Sequence, residues 1–189
     1  MKKISFLAIM AVALMVTPSK GIAAADGNPF LGVSYVHAGF HGGDFKGLDD
    51  EKGAGIRLGM ETPEHFFAYE VAYFETKHEA SATNDESLNG LTFNMRMSFP
   101  FGEVIAPYGF AGLGRYALHM SDNVVYRGEN KINGFQVGGG LDIHLSDHIS
   151  LNFGYTKRRM QFDYGPTSGT IELHTKAITY DAGVTVHLE

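Results

Sequence analysis

Apolar and polar residues alternate along most of this sequence, and the clearest case runs from Ile132 to Arg158. A period of two is typical of a β-strand that has one apolar and one polar face. The alternation stops at Ser146-Asp147-His148 and then resumes. Two such runs joined by a short turn predict a β-hairpin.

Six more runs repeat this pattern, so the sequence predicts eight strands. The six runs cover residues 30–36, 54–61, 67–73, 91–99, 106–118 and 178–188. Each run approaches the roughly 9–11 residues with which a tilted strand crosses a bilayer. The connections alternate between short ones, near positions 62, 100 and 146, and long ones, near positions 41, 75, 119 and 165. Short periplasmic turns alternate with longer outer loops in membrane barrels, so we predict an all-β, antiparallel, up-and-down transmembrane barrel.

The first 25 residues have the pattern of a secretory signal. Lys2-Lys3 precede an apolar run from Ile4 to Val16, and Ala23-Ala24-Ala25 offers a small-residue cleavage site. Because the apolar run is shorter than the roughly 20 residues of a membrane helix, a cleaved signal peptide is favoured over an uncleaved anchor. We therefore expect a signal peptide over residues 1–25 and one barrel domain over residues 26–189.

Composition excludes several classes of function. Without the predicted signal the chain has 12 basic and 21 acidic residues, a net charge of −9. This balance argues against nucleic acid as a partner, because phosphate neutralisation requires clustered lysine and arginine. There is no cysteine, which excludes disulfides, thiolate metal sites and thiol nucleophiles. The 24 glycines, 14 phenylalanines and 9 tyrosines are typical of a β architecture with an aromatic surface.

Alternation alone does not say which face points outward, since a soluble lipocalin-like barrel alternates too. The polar face carries small residues and isolated charges with almost no lysine, which suits a narrow lumen better than a solvated exterior. Aromatic residues of the apolar face also gather near both predicted membrane boundaries, as amphipathic rings do. They are Tyr35, Tyr73, Tyr116, Tyr155 and Tyr180 at the long-loop end, with Phe67, Phe99 and Tyr108 at the short-turn end. We therefore expect the apolar face to contact lipid, although Leu113 falls on the opposite face of the fifth run.

Eight charged residues fall on the predicted inner face, four of each sign. They are Arg57, Glu61, Glu70, Arg96, Arg115, Asp142, Arg158 and Asp181. Desolvated charges are tolerated only when paired and hydrogen-bonded, and an eight-stranded barrel is only wide enough inside for side chains. We predict a polar network that plugs the lumen, with a narrow conduit as the alternative.

Two segments carry a resemblance to a known family: Ala106 to Gly114, APYGFAGLG, and Gly138 to Asp147, GGGLDIHLSD. They resemble the fifth and sixth strands of the small outer-membrane β-barrel family, the opacity-like porins and outer membrane protein A-type barrels, and the likeness extends over the whole mature chain. The last strand is similar to the family's insertion signal, with Leu188-Glu189 in place of a terminal aromatic. The residues that match this signal are Asp181, Gly183, Val186 and Leu188.

The resemblance implies a protein of the Gram-negative outer membrane that is exported by a signal peptide. Its expected partners are outer-membrane lipid and lipopolysaccharide, the barrel assembly machinery, and a host or surface ligand bound through the loops. We expect a monomer.

Candidate chemistry is weak. His148-Ile149-Ser150 resembles the His-x-Ser of outer-membrane lipid A deacylases, but this pair lies at a short turn, on the membrane side opposite lipid A. The glycines at 109–114 and 138–140 lack the following helix of a phosphate loop. The nine histidines show no metal-binding spacing. We therefore expect no enzyme, cofactor or metal site.

The favoured function is a surface one, in adhesion, surface interaction or envelope integrity, because function on a rigid scaffold concentrates in loops. A narrow porin-like channel for small solutes is the first alternative. A lipid A-modifying hydrolase is the second.

Overall fold

The computed structural model describes residues 27–44, 51–62, 64–77, 87–120, 124–127, 132–164 and 171–188. The predicted signal peptide and much of the four long loops lie outside these residues. The strands are β1 (Asn28–Gly43), β2 (Glu51–Glu61), β3 (Phe67–Lys77), β4 (Ser87–Ser98), β5 (Ile105–Met120), β6 (Val124–Arg127), β7 (Gly134–Ser146), β8 (Ile149–Tyr164) and β9 (Ile171–His187). No helix in the described residues is long and apolar enough to cross a membrane.

Eight of these strands close into an antiparallel barrel. Each pairs with its neighbour along the chain, apart from β6, and the barrel closes where β1 meets β9 with Val33 opposite Val184. The hairpin of β7 and β8 turns at Ser146–Ile149, as the sequence indicates. The predicted eight-stranded up-and-down barrel is confirmed.

The four-residue strand β6 lies in a stretch that the sequence assigned to a loop. It pairs with the end of β5, and Arg127 lies opposite Asp163 of β8. It extends the sheet on the long-loop side of the start of β7. There the Asn133 side chain bridges β5 and β8. The Asn133 amide bonds the main chain of Tyr116 and donates to the carbonyl of Gln161. The long strands β5 and β8 are thereby held together beyond the membrane-spanning part of β7.

The outer face is apolar and the interior is buried, as predicted. Outward side chains such as Val33, Phe93 and Val137 are about half exposed. Polar residues occupy the alternate positions and are nearly inaccessible, as shown by Asn94 and Gln136, each 2% exposed. An exterior of this kind suits a lipid environment, because exposing so much apolar surface to water is unfavourable.

Strand β5 has the opposite face assignment from the one predicted. Tyr108 and Tyr116 are buried inside the barrel, whereas Leu113 and Arg115 lie on the exposed outer face. The prediction was wrong because both faces of β5 carry apolar residues, so alternation could not distinguish them. The two tyrosines therefore do not belong to the aromatic belts.

Candidate functional site

A polar layer fills the middle of the lumen. Successive side chains of a strand point to opposite faces, so every second residue points into the barrel. The layer is built from these inward positions. Its members are Arg57, Glu70, Asn94, Arg96, Tyr108, Gln136, Asp142, Asn152, Arg158, Asp181 and Thr185. The layer contains three arginines and three carboxylates, so its formal charges balance.

Hydrogen bonds run across the layer from one wall to the other. Asn94 donates to Glu70 Oε1 at 2.8 Å, and Gln136 donates to Asn94 Oδ1 at 2.6 Å. Arg158 Nε donates to Gln136 Oε1 at 2.9 Å. Because each amide both donates and accepts, one chain of bonds links a carboxylate on β3 to a guanidinium on β8.

A second set of contacts holds the remaining arginines. Arg96 forms an ion pair with Asp142, and its guanidinium lies 3.8 Å from the ring centroid of Tyr108. Arg57 Nη2 donates to Thr185 Oγ1 at 2.5 Å. Buried charges are costly unless they are paired and hydrogen-bonded, and of these contacts the ion pair between Arg96 and Asp142 neutralises a charge.

The structure brings together five of the eight charges predicted for the lumen network around one cavity. Arg57, Glu70, Arg96, Arg158 and Asp181 all line this space, whose volume is about 70 Å³. A water molecule occupies about 30 Å³ in the liquid, so the cavity is of a size for a few waters.

The other three predicted network residues do not line this cavity. Asp142 pairs with Arg96 in the same layer. Glu61 lies at the short-turn end, among histidines. Arg115 faces outward, and its assignment to the lumen was wrong because of the reversed faces of β5.

An apolar layer fills the lumen on the long-loop side of the polar layer, and the sequence did not predict it. Its members are Val36, Phe40, Phe74, Leu88, Tyr116, Leu118, Met160, Phe162 and Ala177. They come from six of the eight barrel strands, and each is at most 4% exposed. The lumen is therefore closed at two levels by different kinds of contact.

The short-turn end of the lumen holds a cluster of three histidines, which we call the histidine cluster. The ring centroids of His65, His144 and His187 lie 6.0–6.2 Å apart. Glu61 Oε1 is 2.5 Å from His187 Nδ1 and 3.1 Å from His65 Nδ1. Ser150 Oγ lies 2.9 Å from His187 Nε2 and 2.7 Å from His144 Nδ1.

Ser150, His187 and Glu61 thus have the connectivity of a hydrolase triad, with a nucleophile, a base and an orienting acid. The Ser150 side chain, however, is 1% exposed and already held between two imidazoles. An ester carbonyl cannot reach a hydroxyl placed there. The histidine that the sequence paired with Ser150, His148, lies in the exposed turn before β8.

Glycines in the resembling segments differ in what they contribute. A Cβ at Gly112 would overlap the Asn94 amide and lie 2.6 Å from the Phe93 carbonyl. A Cβ at Gly109 would have its nearest neighbour at 3.8 Å. Glycine is therefore required at position 112, where the Asn94 side chain of the polar layer lies close to the main chain of β5, and is not required at position 109.

The residues of the predicted insertion signal are divided between the two faces of β9. Gly183 packs against the main chain of Val33 and Ser34, while Val186 and Leu188 face outward and are 40% and 46% exposed. Asp181 lines the lumen cavity. Their role as a signal stays a prediction.

The histidine cluster escaped sequence reasoning although part of its signal was present. His144, Ser150, Glu61 and His187 all fall on the polar face of their strands, at the end of the barrel where the short turns lie. Barrel closure brings such positions together. His65 could not be found in this way, because it lies in a turn and its direction is set by a positive φ of 55°.

A closed eight-stranded barrel with an apolar exterior and a filled polar interior defines a small integral outer-membrane β-barrel protein. The outer membrane protein beta-barrel domain family matches residues 4–186, and the chain belongs to that family. No curated protein sequence matches the chain significantly.

Solved structures share this fold at low sequence identity. Neisserial surface protein A has a TM-score of 0.57 at 16% identity, over 86% of this chain and 97% of its own. Ail, the attachment invasion locus protein of Yersinia pestis, has a TM-score of 0.56 at 14% identity, over 86% and 99%. OprG of Pseudomonas aeruginosa has a TM-score of 0.57 at 13% identity, over 86% and 96%. These likenesses establish the fold.

Proposed function

We propose that this protein is a non-conducting outer-membrane barrel that acts at the cell surface by binding, in attachment or in envelope integrity, and not by catalysis. The observation that carries the proposal is the lumen, which two layers of side chains fill. An ion or sugar moving through the barrel would meet a layer of charged and hydrogen-bonded groups and then a layer of packed, buried apolar side chains. Desolvation opposes that passage at both levels.

A filled scaffold leaves the outer loops and the outward surface for interaction. Ail is an attachment protein by its name, and one of its structures contains a heparin analogue. Its shared fold makes attachment through loops one form that the proposed function could take here. The narrow channel remains the competing function, and conductance separates the two.

A loop replacement tests the attachment form of the proposal. Residues 78–86 follow Lys77 and precede Ser87, which end and begin paired strands, so a glycine-serine segment of equal length leaves both strands intact. We expect cells that display this variant to lose most of their binding to immobilised host matrix.

The matched control replaces residues 101–104, the short turn at the opposite end, in the same manner. Heat-modifiable gel migration confirms that both variants are folded. Undiminished binding by the 78–86 variant, or an equal loss in the turn variant, would contradict attachment through this loop.

The outward cations favour lipopolysaccharide as a partner. Six basic side chains in the described strands face outward, and all lie in the half of the strand next to the long loops. They are Lys52, Lys77, Arg115, Lys157, Arg159 and Lys176. The short turns carry acidic residues instead, such as Glu64, Glu103 and Asp147. This polarity suits a membrane whose outer leaflet presents phosphate groups.

Two pairs of these cations lie directly opposite each other across neighbouring strands. Lys52 faces Lys77, and Arg159 faces Lys176. Like charges in such positions repel. Glu75 lies 3.5 Å from Lys77 and offsets the repulsion in the first pair, and an anion bound between Arg159 and Lys176 would offset it in the second. A pocket of about 250 Å³ beside Arg159 and Lys176 is also lined by Gly43, His174 and Thr175. We propose that a lipid A phosphate binds in this pocket, between Arg159 and Lys176.

Glutamine substitution tests this contact. The double variant Arg159→Gln/Lys176→Gln should bind bisphosphorylated lipid A in micelles about tenfold more weakly, because two charge-assisted contacts are lost. Lys157→Gln, whose cross-strand neighbour is Ile178, is the control. The difference should vanish with dephosphorylated lipid A, and equal affinity of the two variants for the phosphorylated lipid would overturn the proposed contact.

A further inference from the structure

Three ligand atoms converge at the short-turn end of the lumen. Glu61 Oε1, His65 Nδ1 and His187 Nδ1 all lie within 4.8 Å of one another. Two imidazole nitrogens and one carboxylate oxygen form a donor set that zinc accepts, with a fourth position open to water or another ligand. We propose that these residues form a zinc-class divalent metal site at the periplasmic mouth of the barrel.

Two of the three separations between ligand atoms are close to those that a bound ion imposes. Bonds of 2.0–2.1 Å in a tetrahedral arrangement place neighbouring ligand atoms about 3.3 Å apart. The separation of Glu61 Oε1 from His65 Nδ1 is 3.1 Å, so this pair needs almost no movement. The 2.5 Å contact between Glu61 and His187 is a hydrogen bond in which the Nδ1–H of the imidazole donates to the carboxylate. Replacing that proton by a metal requires the two atoms to separate by less than about 1 Å.

Ser150 and His144 provide the outer contacts that a metal-bound imidazole requires. A ligating histidine usually donates its other ring N–H to a neighbouring group, which fixes the tautomer. His187 Nε2 lies 2.9 Å from Ser150 Oγ, and that hydroxyl lies 2.7 Å from His144 Nδ1. Because a hydroxyl both donates and accepts, His187 can donate from Nε2 to Ser150 while Ser150 donates to His144. His187 Nδ1 then presents its lone pair to the metal.

His65 gives the site its opening to the periplasm. Its side chain is 42% exposed, whereas those of Glu61 and His187 are 11% and 9% exposed. Its Nδ1 atom is nevertheless buried and lacks a well-aligned hydrogen-bond partner, although Glu61 is near. A backbone φ of 55° holds the residue in the left-handed region, and its N–H donates to the Thr62 carbonyl at 2.8 Å. A ligand nitrogen kept in this strained position is suited to capture a cation that enters from the short-turn side.

A bound metal would connect parts of the barrel that are distant in sequence. His65 lies in the turn between β2 and β3, and His187 ends β9, the strand that closes the barrel against β1. The metal would therefore fasten the first short turn to the closing strand. Because it binds the folded barrel, it would raise the unfolding temperature by mass action.

Zinc binding by the refolded protein in detergent micelles tests the proposal. Competition with a chromophoric chelator should give one zinc per chain, and His65→Ala should weaken binding at least about tenfold because one ligand of three is lost. His148→Ala is the matched control, since His148 lies in an exposed turn at the same end. X-ray absorption should show two imidazole nitrogens and at least one oxygen on zinc.

Further variants separate a built site from adventitious binding. Ser150→Ala should weaken zinc binding about tenfold and leave the stoichiometry at one, because the outer contact alone is removed. Zinc should raise the unfolding temperature of the wild-type protein and of His148→Ala, but not that of His65→Ala. Equal affinity in His65→Ala and His148→Ala would overturn the site. This result does not bear on the surface function, which concerns the other end of the barrel.

Discussion

The two layers that close the lumen use opposite chemistry within the same barrel. In the polar layer, Arg96 and Asp142 pair at a cost in desolvation, and hydrogen bonds link Asn94 to its neighbours. In the apolar layer, Phe162 and Leu88 are fully buried, and the one buried carboxylate beside them, Glu51, accepts hydrogen bonds from the Leu88 N–H and the Thr76 hydroxyl. The same strands pass through both layers, so the difference arises from the inward side chains alone.

This difference indicates how each layer stabilises the barrel. The polar layer favours one arrangement of its side chains, because each buried polar group needs a hydrogen-bond partner. The apolar layer resembles the core of a soluble β-protein and gains stability from area and close packing. Tyr116 belongs to both, because its ring packs at 6.2 Å from that of Phe74 while its hydroxyl donates to Gln136 at 3.1 Å.

The largest effect is expected from breaking an ion pair in the polar layer. Arg96→Ala leaves the Asp142 carboxylate buried without its partner, which should lower the free energy of unfolding by about 3–5 kcal/mol. The urea midpoint of heat-modifiable gel migration measures this loss. Lys77→Ala, with 72% of its side chain exposed, is the control and should shift the midpoint little. Equal midpoints for the two variants would contradict the account of the polar layer.

A cavity in the apolar layer should have the next largest effect. Phe162→Ala removes a fully buried ring, and the loss of transfer energy together with the cavity should cost about 3 kcal/mol. The same gel assay applies. Phe153→Ala, on the lipid-facing side of the same strand, should cost much less because lipid fills the space. Comparable losses would show that the interior at the loop end is not packed as a core.

A matched pair of glycines in β5 sharpens the comparison at smaller scale. Gly112→Ala forces the Asn94 amide out of its bond with Gln136, and overpacking of this kind should cost about 1–3 kcal/mol. Gly109→Ala meets nothing closer than 3.8 Å and should be nearly neutral. If the two variants have equal midpoints, the close packing around Asn94 does not exist.

The junction between the layers should give the smallest effect. Tyr116→Phe keeps the ring in the apolar layer and removes only the hydrogen bond to Gln136, a loss of about 1 kcal/mol. The midpoint should fall by less than in Phe162→Ala. A larger fall would mean that the two layers depend on each other for their structure.

The sequence predicted what local alternation encodes and missed what closure of the barrel creates. Period two located the strands and most of their faces, because the membrane requires an apolar exterior at every second position. It failed for β5, where Tyr108 and Tyr116 fill the lumen and Leu113 faces outward. When both faces carry apolar residues, alternation holds no information about direction.

The polar layer was easier to anticipate than the other interior features. A charged residue such as Arg96, between two lipid-facing methionines, can point only inward. Residue type and position in the alternation are therefore enough to assign it to the lumen. The apolar layer draws on residues near the strand ends, such as Phe40 and Phe162, where alternation no longer separates lipid from lumen. The histidine cluster needs the register of β2, β7, β8 and β9 together, which no local pattern contains.

Single-channel recording of the refolded wild-type protein in planar bilayers tests most directly whether the lumen is filled. Protein recovered from the bilayer sample should show the heat-modifiable migration of a folded barrel, which verifies that the species measured is inserted and intact. We expect no steady open-channel steps in salt solution, because the polar and apolar layers both close the lumen. Reproducible conductance steps from the folded protein would contradict that structure-based account and support the narrow channel.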